Sequence, residues 1–144
     1  MKGNVKMTAK QYLKQAYHLN ELINTDLAEA AQLRTLSTCI SSPNLSGMPS
    51  SGRKTEAPFV NCVNKLIDLE AKINAEINSY VDLKEEIRQK VTAIDDADAK
   101  LLLQSRYLLF MTWEQIAENM GFTTQWVYEL HKRALTLFSE KYNL

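Results

Sequence analysis

Residues 121 to 135 read GFTTQWVYELHKRAL. A glycine, a threonine pair and then a run of helical spacing have the form of the start of a recognition helix, the element that carries side chains to base edges in duplex DNA. The helix holds Trp126, Tyr128 and Glu129, where a DNA reader commonly carries arginines. Just upstream, Thr112-Trp-Glu-Gln115 fits a capping box, in which the threonine hydroxyl and the glutamine amide each satisfy a backbone N–H. Ala117 stands four before Gly121, and Val127 six after it. A small residue at 117 lets two helices approach, Gly121 supplies the backbone freedom of the turn, and Val127 and Leu130 press the last helix onto Ile116 and Phe122. Helix, tight glycine turn and a second helix capped at Thr123 is helix-turn-helix order.

Other chemistry finds little to work with. The chain has no Gly-rich phosphate loop, no nucleophile–base pair and no carboxylate–histidine cluster, so no enzyme, cofactor or metal is expected. Cys39 and Cys62, with only His18 and His131 beside them, offer no close-spaced ligand pair. They are expected as two buried thiols in a reducing compartment, with a bridge across the intervening loop as the minority alternative. His131 is expected at the surface. Trp113 and Trp126 are expected as core or interface aromatics rather than stacking platforms.

The 17 basic and 17 acidic residues cancel. That argues against binding nucleic acid by bulk electrostatics and leaves room for a local reader. Lys2, Lys6, Lys10 and Lys14 crowd the N-terminus, either as a soluble helix start or as a basic arm that tracks a phosphate backbone.

The elements that must position these residues are helical. Only 4 glycines and 3 prolines occur among 144 residues, and straight-chain residues dominate, so the expected class is all-α. Thr8-Ala-Lys-Gln11 is a second capping box, opening a helix to about residue 37 whose stripe is Tyr12, Ala16, Leu19, Ile23, Leu27 and Ala30. Residues 41–58 hold all three prolines, two glycines and many serines, and are expected as a mobile loop. A second helix is expected over 59–94, with a heptad-like stripe of Val63, Leu66, Ile73, Ile77, Tyr80, Ile87, Val91 and Ile94. Roughly 35 helical residues span about 50 Å, too long to bury such a stripe in a small globule. The expected answer is a long antiparallel, coiled-coil-like helical hairpin at 8–94 that also serves oligomerisation, with a homodimer covering the remaining stripe.

The acidic run Asp95-Asp96-Ala97-Asp98 suits a helix N-terminus and opens a second domain at 95–144. Its first helix is expected over 97–109, burying Leu101, Leu102, Tyr107 and Leu108. A short helix to Met120 follows, and then a last one to about Tyr142. No apolar run approaches a bilayer span and no cleavable signal opens the chain, so a cytoplasmic protein without a membrane partner is expected.

The pattern Arg106-Tyr107…Thr112-x-Glu114-x-Ile116-Ala117…Gly121-Phe122-Thr123…Val127…Arg133-Ala134-Leu135 resembles region 4 of bacterial sigma factors, the domain that reads the promoter −35 element. The whole chain resembles small phage-encoded proteins related to the ArpU and RinA late-gene transcriptional regulators. Those open on a helix similar to MTAKQYLKQAY, carry a Ser/Pro/Gly loop and end in a sigma-like unit. The resemblance implies a phage-type transcription regulator in a bacterial host cell, with double-stranded DNA as partner and RNA polymerase as a further one. Its base- and backbone-contacting positions fall on Thr124, Gln125, Tyr128 and Glu129, with Thr112 near phosphate and Arg133 at a basic position along the recognition helix. Thr123 and Lys132 complete the candidate set, Lys132 and Arg133 standing evenly between phosphate contacts and solvated charges. Chemically, Gln125 suits adenine, Glu129 suits cytosine N4, and Thr124 and Tyr128 suit phosphate or a thymine methyl.

The sequence departs from the sigma pattern at Thr124 and Tyr128, where sigma factors usually carry arginine. Residues 95–144 hold five basic and seven acidic side chains. Weak isolated affinity is the expectation, with dimerisation or polymerase supplying the rest. The alternative is a non-enzymatic interaction module that docks on RNA polymerase or a host factor without reading bases.

Overall fold

The computed structural model describes residues 6–41 and 53–144, with side chains over 6–38 and 59–144. Among the described residues there is no strand; the elements are α1 (Ala9–Ser41), α2 (Arg53–Thr92), α3 (Ala97–Leu103), a π turn (Gln104–Leu108), α4 (Trp113–Met120) and α5 (Thr124–Tyr142). No described helix is long and apolar enough to cross a membrane.

Local chemistry sets most of the helix starts. Thr8 and Gln11 form the reciprocal box, with the Thr8 N–H donating to Gln11 Oε1 at 3.0 Å and the Gln11 N–H to Thr8 Oγ1 at 3.2 Å. Thr112 and Gln115 do the same at α4, at 2.9 and 3.2 Å. Asp96 Oδ1 accepts from the Ala99 N–H at 3.1 Å, and Thr123 Oγ1 from the Trp126 N–H at 3.1 Å. Each such cap satisfies a donor that the helix itself leaves orphaned.

Several boundaries differ from expectation. The segment 42–52 of the expected loop lies outside the described residues, but 53–58 is helical and the break before α2 is correspondingly shorter. Pro58 is the sixth residue of α2, so it withholds one N–H from the helical ladder close to its start. The helix expected over 97–109 stops being α-helical at Leu103 and passes into the π turn, where Leu109 N–H reaches Gln104 O at 3.2 Å and Met111 N–H reaches Ser105 O at 3.0 Å. Phe110 follows in a left-handed conformation, φ 56°.

The chain divides into two compact units. One comprises the described part of Met1–Leu19 with Tyr80–Leu144. Its core gathers Leu13 and Ala16 of α1, Ile87 and Val91 of α2, Leu102 and Leu103 of α3, Ile116 of α4, and Val127, Ala134 and Phe138 of α5, all fully buried. Each large aliphatic or aromatic side chain removed from water in this way contributes about 1.5–3 kcal/mol. Leu101, expected inside, is 48% exposed. The buried positions of α3 are Ala99, Leu102 and Leu103, a three-and-four spacing that turns position 101 away from the core.

The other unit is the described part of Asn20–Ser79. Here the two helices run antiparallel: Arg34 pairs with Glu70 at 2.6 Å, while Asp26 lies nearer the C-terminal end of this α2 segment, beside Lys72 and Glu76. Ile23, Ala30 and Ile73 are buried, but Leu27 is 44% exposed and Ile77 is exposed as well. Asp26 is buried in place of Leu27, so the stripe steps 23–26–30 rather than 23–27–30. Cys62 is a free thiol and only half-buried, not the buried one expected; the Cys39 side chain lies outside the described residues.

Candidate nucleic-acid interface

The turn between α4 and α5 is built on Gly121, whose φ of 71° is a left-handed conformation that costs a side-chain-bearing residue free energy. Phe122 N–H then closes on Ala117 O at 2.9 Å, satisfying a carbonyl at the end of α4. From this turn α5 packs on α4 and α3. It buries Val127, Leu130, His131, Ala134 and Phe138, a spacing that defines one helical face.

The opposite face carries Thr124, Gln125, Tyr128, Glu129 and Lys132, all exposed. The fold therefore brings five of the eight candidate side chains onto one surface. Glu129 and Lys132 pair with each other at 3.4 Å, a surface ion pair of little energetic consequence. Thr112 and Thr123 are exposed as well, and both hydroxyls are engaged as N-caps.

Arg133 is the exception. Its Nη2 bonds Asp96 Oδ2, so one carboxylate both caps α3 and holds this guanidinium. The pairing draws Arg133 to the α3 flank of α5 and offsets its charge.

The other flank is aromatic and basic. The Trp113 ring meets Tyr128 edge-on, centroids 5.5 Å apart, and meets His131 at 4.6 Å. The Arg106 guanidinium lies 4.2 Å from the Trp113 centroid, a cation–π contact, and donates through Nη1 to Met111 O at 2.9 Å. Trp113 is half-buried and props Tyr128 from behind; Trp126, by contrast, is 52% exposed, with Phe122 edge-on at 6.3 Å.

His131 is not a surface residue. It is buried and shares a 2.7 Å hydrogen bond between Nε2 and the Tyr107 hydroxyl. Burial, and then the positive charges of Lys10, Arg106 and Lys14, push its pKa down to about 4, so the ring is neutral at pH 7. Burial likewise pushes Tyr107 up to about 12, keeping it a phenol. The signal for His131 was present in the apolar spacing 127–130–134–138, since position 131 lies on that same face. The signal for Arg106 was its place in the quoted motif. What sequence reasoning missed is that Lys10 and Lys14 of α1 come close enough to act on the α5 histidine.

Comparison with known proteins finds no matching family model, no similar curated protein and no similar solved structure.

Proposed function

We propose that this chain is a transcription regulator of the phage ArpU and RinA kind, binding promoter DNA through a helix-turn-helix like that of sigma region 4. In this reading α4 and α5 are the two helices of the unit, and α5 lies in the major groove. Gln125 and Glu129 face base edges, and Thr124, Tyr128 and Lys132 face the backbone or thymine methyls. The observation that carries it is the division of α5. One face supplies the packing, and the other exposes Thr124, Gln125, Tyr128, Glu129 and Lys132 to solvent. Exposed Leu22, Leu27, Leu36, Ile67 and Ile77 on the Asn20–Ser79 unit favour a homodimer, which doubles the phosphate contacts of a weakly charged reader.

Selection from a random duplex library, followed by electrophoretic shift with the selected site, tests the reading. The wild-type chain is expected to enrich a sequence. Gln125→Ala is expected to weaken binding to that site about tenfold while leaving random duplex unaffected, as loss of one bidentate base contact requires. Failure to enrich any sequence at low salt overturns base reading. It would favour the second reading, a protein-docking unit, for which the exposed Trp126 and the acidic excess of residues 95–144 speak.

A further inference from the structure

A cavity of about 410 Å³ opens in the unit that holds α5, lined by Lys14, Tyr17, Arg106, Tyr107, Phe110 and Thr112. Its size is that of a small-ligand site. Two of these residues are cations and none is acidic. Among the described residues no carboxylate lies within ion-pair distance of Lys14 or Arg106, although the chain as a whole is neutral. Arg106 is held in place by Met111 O and by the Trp113 ring, both of which leave its Nη2 without a hydrogen-bond partner among the described residues. Lys84 adds a third positive charge, its Nζ 5.5 Å from the Phe110 ring centroid.

The walls are aromatic. Tyr17 and Phe110 meet edge-on, centroids 5.7 Å apart, and Phe110 holds its ring there from a backbone conformation that side-chain-bearing residues rarely adopt. Strained positions of this kind concentrate at binding sites, where the surrounding structure maintains them. Like charges gathered without counter-charge repel one another, and an anion between them removes that repulsion. Burial is the larger cause of the lowered proton affinity of His131, and the charges of Lys10, Arg106 and Lys14 lower it further.

We propose that this cavity seats a phosphate ester, with Lys14 and Arg106 on the phosphate and the Tyr17 and Phe110 rings flanking the group that carries it. Cations interleaved with aromatic rings are the chemistry by which proteins hold nucleotides. The ester has two sources, a free mononucleotide or the backbone of duplex DNA. As a backbone contact the site rests on the duplex-binding reading above; as a nucleotide site it stands without it.

The full-length chain is titrated with inorganic phosphate and thymidine monophosphate, followed by amide chemical shifts, and with a short mixed-sequence duplex, followed by fluorescence anisotropy across a salt series. Lys14→Gln and Lys14→Glu are the variants. Lys14 makes no ion pair among the described residues, and circular dichroism checks that both variants fold. Lys65→Gln, in the other unit, is the control. Wild type is expected to bind at least one class of probe, and Lys14→Gln to weaken that binding severalfold, with Lys14→Glu weakening it further. Shifts at Lys14, Arg106 and Phe110 with the mononucleotide assign the free ligand. A drop of about one in the slope of log affinity against log salt, uniform across sequences, assigns the backbone. No binding of any probe by wild type, or equal binding by wild type and both Lys14 variants, overturns the site. If Gln125→Ala is silent while Lys14→Gln weakens duplex binding, the site stands and base reading falls; the opposite pattern, with mononucleotide binding also unchanged by both Lys14 variants, sinks the site alone.

Discussion

The two compact units treat their buried polar groups in opposite ways. Around α5, buried His131 shares a hydrogen bond with Tyr107, buried Tyr12 donates to Glu86 at 2.6 Å, and half-buried Asp96 serves both Ala99 and Arg133. In the Asn20–Ser79 unit, Asp26 and Glu76 lie against one another with a single exposed Lys72, 3.5 Å from Asp26 Oδ2 and 3.8 Å from Glu76 Oε1. Those are ion-pair separations rather than hydrogen bonds, and buried oxygens of both carboxylates stay unsatisfied among the described residues. A satisfied network fixes one geometry. An under-satisfied carboxylate pair stores free energy that protonation releases.

The sharpest way to break this contrast is through packing. Phe138 is fully buried, stacks on Tyr12 at 5.9 Å and lies tilted against Tyr142 at 4.8 Å. Phe138→Ala is expected to destabilise its unit by about 3–5 kcal/mol, and hydrogen exchange should show protection lost in α3–α5 first. Equal loss across Asn20–Ser79 would mean the two units unfold as one.

Acid separates them by sign. His131 has a folded pKa of about 4 against an ordinary value near 6.5, so the unfolded chain binds more protons between those values. Stability is fully present above about pH 6.5 and declines as pH falls towards 4, by about 3 kcal/mol at most. Glu86 acts in the same direction, because the Tyr12 hydroxyl holds its carboxyl below the usual range. Glu76 acts in the opposite one. Burial, then the adjacent Asp26 carboxylate, raise its pKa, so its unit gains stability as pH falls towards the ordinary carboxylate value. Hydrogen exchange at pH 7 and pH 5 should therefore show α5 loosening while α1 and α2 within Asn20–Ser79 tighten. A shift of both units in the same direction would contradict the contrast.

Glu76→Gln is expected to capture the acid gain at neutral pH, stabilising its unit by about 1 kcal/mol and abolishing its acid response, as read from urea melts at two pH values. An effect of similar size and opposite sign belongs to Gly121→Ala. No atom lies within 4 Å of the added methyl, so only the left-handed backbone resists it. A loss of about 1 kcal/mol is expected, and Gly121→Asn should recover part of it.

Much of the order of α4, turn and α5 was legible because its determinants are local. Thr112 with Gln115, Gly121, and Thr123 with Trp126 each act within a few residues, and so are readable from spacing. The apolar spine of α5 was legible for the same reason. The phase of the hairpin was not, since choosing Asp26 over Leu27 depends on what α2 places opposite. Leu101 and Leu103 exchanged roles because a short apolar run, LLL, leaves its inward face undefined until α5 packs against it. His131 looked polar by type and is core by position.

By itself the sequence determined the caps, the turn and the pattern of apolar faces, all of which act through neighbours along the chain. Tertiary structure alone decided which charges remain available. Arg133 is offset by Asp96, 37 positions away, while Lys14 and Arg106 come to the same cavity from opposite ends of the chain and find no acid there. Charges interact through distance in space, and packing sets that distance.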